Sequence, residues 1–398
     1  MVATLARIFG LAHLSLAEDV VQEAFVSALK TWPFKGTPRH PKAWILRVAR
    51  NRALDVIRRQ ENWKDKAVEL GHSLDTLARS KPKVEGGFLQ EVEDDQLRLI
   101  FACCHPRIPR DAQVAMTLKT AGGFSVSEIA RAFLARPAAI AQRLVRAKRQ
   151  LREGEVDLAL PAPAQLPARR EAVLEVLYLM FNEGYSALEG EALVRQDLCQ
   201  EALRIARLLA DHPTAGGPEV HAAAALFAFQ SARLSTRADS AGDLLLLSEQ
   251  DRRRWDPALI RAGLLHLERA AAGDRVTTYH LEAEIASHHT LARSYEATDW
   301  PAILDCYDAL MALNPSPVVA VNRAVVLGQV EGAGAALKVV AALKDHPALR
   351  DYYPLHATLG QLYRQSRRQR EARHHFERAL ELTASEPVRR FLLRCLGR

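Results

Sequence analysis

The chain has 398 residues, 48% hydrophobic and 25% charged, which suits two or three domains with real cores. Its formal charge of +7 is uneven: residues 1–152 hold 26 Lys and Arg against 15 Asp and Glu, a net +11, and the rest hold 28 against 32, a net −4. The five cysteines show no paired spacing, no apolar run approaches a membrane span and no signal-peptide core opens the chain, so a disulfide scaffold and a membrane partner are excluded and a cytoplasmic location is expected. A basic segment of this kind favours a polyanion such as nucleic acid, against the plainer reading of a solvated surface.

Ala, Leu, Arg and Glu recur with helical spacing and alternating β-branched runs are rare, so the predicted fold is all-α. The polar stretch 65–93, with Gly71, Pro82, Gly86 and Gly87, reads as a flexible linker. The Pro-rich stretch 156–168, carrying Pro161, Pro163 and Pro167, reads as a stiffer one. The expected domains are therefore 1–64, 94–155 and 169–398.

In the first block, Ser15 and Glu18 have capping-box spacing. The spacing predicts a helix from Leu16 to about Thr31, stopped at Trp32-Pro33, with Ala17, Val20, Val21, Ala24, Phe25 and Ala28 buried. Asp19, Gln22 and Glu23 fall on its opposite side, where an ordinary solvated face is the simplest reading. Pro41 opens a second helix to Arg59, carrying six basic residues against the single acid Asp55. Arg47, Asn51 and Arg58 project from one side of it, with Trp44 a turn earlier. Basic groups there can hold phosphates and an aromatic can stack on an unpaired base, although Trp44 could equally pack beside Ile45 and Val48.

The second block contains Cys103-Cys104-His105. Adjacent cysteines lack the gap that brings two thiolates to one ion, so buried thiols are expected and no metal. Residues Phe124–Leu151 have helix-turn-helix spacing. Ser125 caps the first helix with Glu128, and Ile129, Ala130, Ile140 and Leu144 fall at the crossing. Leu134 stands in the turn where Gly is usual. Pro137 opens a second helix that offers Gln142, Arg143, Arg146 and Arg149 on one side, the amide and guanidinium mixture a major-groove reader needs. Two packed helices with a solvated basic face is the alternative for this segment alone.

Ala17–Phe25, then Ala43–Arg59, then a tether, then a helix-turn-helix ending at Arg149, resembles the extracytoplasmic-function group of bacterial sigma factors over about residues 1–155. The resemblance implies sigma region two at 1–64 and region four at 94–155. It implies that Asp19, Gln22 and Glu23 dock on core RNA polymerase. Trp44, Arg47 and Asn51 would open and read the −10 element of promoter DNA as single strand, the Pro33–Pro41 loop would capture a flipped base, and Gln142, Arg143 and Arg146 would read the −35 element. Arg58 and Arg149 extend the two basic faces. Such factors begin with a further helical segment, so the short stretch before Ser15 reads as a truncated start.

The remaining residues extend well past an ordinary member of that group. Leu359, Gly360, Tyr363, Ala372, Phe376 and Ala379 have tetratricopeptide spacing, with weaker copies at Ala324, Leu327, Ala336, Val340, Leu343 and at Leu291, Tyr295, Ile303, Tyr307, Leu310, Pro315, placing repeats at about 288–387. This resembles the sigma subgroup with a fused tetratricopeptide-like extension, and implies a peptide or protein partner or regulation of the factor in cis. Gly184, in Phe181-Asn-Glu-Gly-Tyr185, is read as a helix cap. His288-His289 and His374-His375 are read as helix surface. With no phosphate loop, nucleophile motif or metal cluster, neither an enzyme nor a cofactor is expected. The competing reading is a helix-turn-helix transcriptional regulator with a repeat-type protein-binding domain, which leaves residues 1–64 without a role.

Overall fold

The computed structural model describes residues 1–60, 95–133, 135–154, 156–185, 189–190 and 194–397. The linker expected at 65–93, Leu134 and the side chain of Arg58 lie outside them. The described residues are helical almost throughout; strand pairing among them is limited to Glu189–Gly190 parallel to Ala384–Ser385 and one isolated bridge, Ala238 with Leu244. The chain divides into two compact units, Met1–Val176 and Leu177–Arg398.

In the first unit, α1 (Val2–Phe9) and α2 (Leu14–Lys35) pack with α3 (Pro41–Gln60). The core is Leu5, Ala17, Val20, Val21, Ala24, Ile45, Ala49 and Ala53. Ala24, Ala49 and Ala53 are fully buried, and such small residues let α2 and α3 approach closely. The predicted stripe of α2 is buried as expected except at Phe25, which is 43% exposed because it lies at the stripe's edge. Two local expectations are corrected. α2 starts at Leu14 without a side-chain cap, because Ser15 and Glu18 both turn to Lys148. It also runs through Pro33 to Lys35. The hydrogen bond Pro33 cannot make falls in a turn open to water, beside the 76% exposed Leu29, so the cost of interrupting the ladder is small. Gly36, at φ 78°, then ends the helix.

The rest of the unit is built on two helices buried nearly all round, α4 (95–103) and α5 (Arg110–Thr120), as expected for the centre of a bundle. Cys103 and Cys104 are fully buried and contact the hydroxyls of Thr120 and Thr117 at 3.3 and 3.7 Å. Burial pushes these thiols up to about 12 and about 11, so they stay protonated, as the buried-thiol reading requires. α6 (Val126–Ala132) and α7 (Pro137–Glu153) follow as a helix-turn-helix. Asp95, 1% exposed, joins the parts of the unit by ion pairs to Arg7 at 2.7 Å and Arg98 at 3.1 Å.

The second unit takes the end of α8 (Leu166–Tyr185) and continues through α9 (Gln196–Asp211), α10 (Pro218–Ala232), α11 (Pro257–Ala270) and α12 (Thr278–Leu291). Helices that pack on their neighbours in sequence follow: α13 (Trp300–Leu313), α14 (Pro317–Val330), α15 (Ala333–Leu343), α16 (Tyr353–Gln365), α17 (Gln369–Leu382) and α18 (Glu386–Cys395). Gly184 is not a cap: it lies inside α8, and a Cβ there would meet Cys199 of α9 at 2.8 Å. Ala324, Ala336 and Val340 are buried with Leu355 and Leu359, and Gly360 lies against the Phe376 ring. His289 and His375 are half-buried, contrary to the expected helix surface, because His289 packs on Trp300 and His375 on His356 and Tyr363.

Candidate nucleic-acid interface

On α3, Ile45, Ala49, Ala53 and Ile57 face the core, so Arg47 and Asn51, one helical turn apart, stand exposed on the outside with Lys42. Trp44 sits differently. It is half-buried and meets Trp32 edge-on at 5.6 Å between centroids, so its ring is engaged in packing. The exposed aromatic nearby is Phe34, 89% exposed in the last turn of α2, next to Lys35 and the exposed Arg39 and His40 of the connection 36–40. Sequence spacing missed Phe34 because the helix was expected to end before it; its signal was an aromatic flanked by proline and lysine with no apolar partner at helical distance.

On α2, Asp19, Gln22 and Glu23 are exposed, as placed from the sequence. Glu23 is bound within its own module by Arg52, at 2.9 Å, and Arg52 also donates to the Ser27 hydroxyl at 2.7 Å. Asp19 and Gln22 are continued along the helix by Val26, 49% exposed, and Leu29, 76% exposed. Spaced i, i+3, i+7, i+10, these four make one stripe with an acidic end and an apolar end. Val26 and Leu29 were detectable as apolar residues off the core stripe.

The helix-turn-helix forms as the spacing predicts. Ser125 and Glu128 complete a reciprocal capping box at 3.1 and 2.7 Å, and Pro137 occupies the first turn of α7. Ile129, Ala130, Ile140, Leu144, Ala147 and Leu151 are buried. That orientation leaves Gln142, Arg146 and Arg149 exposed. Arg143 is half-exposed and paired with Asp111 at 3.1 Å, and Arg149 lies 3.6 Å from Glu153. Pairs this exposed are worth no more than about 1 kcal/mol, so a phosphate or guanine edge can take either arginine from its carboxylate. Lys148, on the inner side of α7, bonds Glu18 at 2.7 Å and Ser15 at 3.2 Å, and with Leu11, Leu144 and Val145 lines a cleft of about 380 Å³. The structure thus brings the −35 candidates together on α7 and Arg47 with Asn51 on α3, and it packs the half-buried Trp44 against Trp32 at the edge of the core.

Residues 1–62 match Sigma-70 region 2, and residues 98–151 match Sigma-70 region 4. Two helical DNA-binding modules of these kinds, in this order, define a sigma factor, a protein that recognises promoters. The chain is 40% identical over 377 residues to an uncharacterised protein of Rhizobium meliloti (strain 1021), covering 94% of this chain and 87% of that one. It belongs to the sigma-70 family. Residues 169–271 match a family of unknown function, DUF6596, and no solved structure matches the chain. No described helix is long and apolar enough to cross a membrane.

Proposed function

We propose that the chain is a cytoplasmic sigma factor of the extracytoplasmic-function type that binds core RNA polymerase and opens promoters with two separated contacts. The observation supporting this most strongly is the pairing of two matched sigma modules, each with a cationic exposed face, on α3 and α7. Gln142, Arg143, Arg146 and Arg149 read and grip the −35 duplex in the major groove. Arg47 and Asn51, extended by Arg58, hold the backbone and edges of the −10 strand, and Phe34 rather than Trp44 offers the stacking surface for a displaced base. Unstacking a base costs a few kcal/mol, which stacking at about 1–3 kcal/mol per base and phosphate contacts offset. Asp19 and Gln22, with Val26 and Leu29, dock on the polymerase, and Glu23 supports them through Arg52. The chemistry is binding and strand capture, without a bond-making step.

The helical extension, with tetratricopeptide-like pairs over 288–387, serves as a built-in regulator or a protein-binding surface. The deciding experiment adds the purified chain to core polymerase on a genomic fragment library and maps run-off transcripts. Initiation at a defined −10/−35 pair is expected; no association with core polymerase and no initiation on any fragment would overturn the reading. A plain helix-turn-helix regulator would bind duplex DNA but not core polymerase. Deleting residues 177–398 should change the amount or control of initiation, and an unchanged profile removes the regulatory role.

A further inference from the structure

A second cationic cluster lies within residues 177–398, far in sequence from both DNA-binding faces. Tyr185 ends α8, and two guanidiniums share its ring: the Arg237 carbon is 3.7 Å from the ring centre and that of Arg233 is 5.4 Å. Arg233 is fixed by the side-chain carbonyl of Gln230, at 3.1 and 2.8 Å. Arg252 comes from the short helical turn Arg252–Arg254. It donates to the carbonyls of His289 and Ala292, and its guanidinium lies 4.7 Å from the Trp255 ring centre. His289 in turn is held edge-on against Trp300, at 5.3 Å. Each anchor uses only part of its residue and leaves further donors over.

These groups sit within electrostatic reach of one another. Burial above all lowers Arg233, with Arg237 and Arg252 acting in the same direction and Tyr185 against it. Burial likewise pushes His289 down to about 3, with Arg233 and Arg252 next in effect. No ion pair neutralises Arg233, Arg237 or Arg252 among the described residues; Glu296 acts on Arg252 only through its field. Four buried polar atoms here have no hydrogen-bond partner among the described residues: Nη1 of Arg237, Nη2 of Arg252, the Tyr185 hydroxyl and Nδ1 of His289. Leaving buried donors unpaired is expensive, and gathering like charges without a counter-charge adds repulsion. Three planar guanidiniums, a phenol and an imidazole are, however, the groups that bind a phosphate or carboxylate group by several charge-assisted bonds.

We propose that Tyr185, Arg233, Arg237, Arg252 and His289 form a binding site for a small oxyanion, a phosphate or carboxylate group on a metabolite-sized ligand. The site is independent of the promoter reading, since its test measures binding alone. The competing account is a purely structural cluster that ties α8, α10 and α12 together. Full-length protein is placed in buffer free of both anions. Inorganic phosphate or citrate is titrated against calorimetric heat and thermal midpoint, with chloride matched for ionic strength. A saturable rise in midpoint with phosphate, or with citrate, and not with chloride is expected, and which of the two acts identifies the group. Arg237→Met should weaken that binding at least tenfold while leaving the unliganded midpoint unchanged or higher, because it removes one of three unneutralised charges. Arg252→Lys keeps the charge but loses the fork, and should also weaken binding. Arg253→Met, at a neighbouring arginine 91% exposed and paired with Asp251, should have no effect. No response of the wild-type chain beyond chloride overturns the proposal. So does undiminished affinity in both Arg237→Met and Arg252→Lys, or an Arg237→Met chain that loses stability without anion and keeps its anion response.

Discussion

His266 is 6% exposed, and its Nδ1 lies 3.0 Å from Nδ1 of His221. Two neutral imidazoles can share that contact, one donating and one accepting; once one ring is protonated it must donate to its neutral partner, and protonating both rings breaks the bond. Burial first, then His221, pushes His266 down to about 4. Its folded pKa is depressed below the unfolded value, so its stabilising contribution is present above about pH 6.5 and fades as pH falls toward 4. His289, at about 3, and His375, at about 4, load the same acid limb. The denaturant midpoint should therefore drop between pH 6.5 and 4, and His266→Gln should flatten part of that drop. A drop of unchanged depth in His266→Gln would contradict the assignment. Glu282 behaves oppositely. Burial raises it to about 7 while the Tyr178 hydroxyl, donating at 2.9 Å, works the other way. A raised carboxyl contributes fully below about pH 4.5, and the contribution is lost as pH rises through 7. Glu282→Gln should therefore lessen the loss of stability, read as the midpoint, between about pH 4.5 and 7, and Glu183, which burial also raises to about 7, should keep the remainder.

Helix contacts turn on a few residues without room to grow. At Gly360 of α16 a Cβ would stand 2.6 Å from the Phe376 ring of α17, and at Gly263 of α11 it would stand 2.6 Å from Phe229 of α10. Gly360→Ala should therefore cost about 1–3 kcal/mol in urea unfolding, although alanine is the better helix former. Asp95→Ala strips Arg7 and Arg98 of a buried partner and should cost about 3 kcal/mol, read through the fluorescence of Trp32 and Trp44. At this scale the sequence is informative wherever the cause is local. The buried stripe of α2, the Ser125–Glu128 box and the start of α7 at Pro137 each depend on residues within a turn or two. Ser15 and Glu18 carry the same local signal and do not cap, because Lys148, some 130 residues away, takes both side chains. Glu23 with Arg52 and the grouping of Tyr185 with Arg233, Arg252 and His289 are equally silent in the sequence, since each is assembled from separate helices. Trp44 shows the limit of spacing: it allows either a packed or a presented ring, and the half-buried ring lies edge-on to Trp32.

Across the molecule, positive charge concentrates in residues 1–152 and the remainder is mildly acidic. Promoter affinity should fall steeply with salt, roughly in proportion to the number of phosphates neutralised. Arg47→Ala and Arg146→Ala should each weaken binding; a phosphate contact would reduce the salt slope by about one, whereas a base contact would relax sequence preference instead. A slope unchanged by either substitution, with no change in preference, would remove both side chains from the interface. Finally, α8 carries the chain as one helix from the Pro-rich stretch into the residues that match a family of unknown function. Helices fused in this way are always made in equal number with the two sigma modules. Their local concentration at those modules is set by the covalent connection rather than by expression level, so raising the gene dose leaves the ratio of the two parts unchanged.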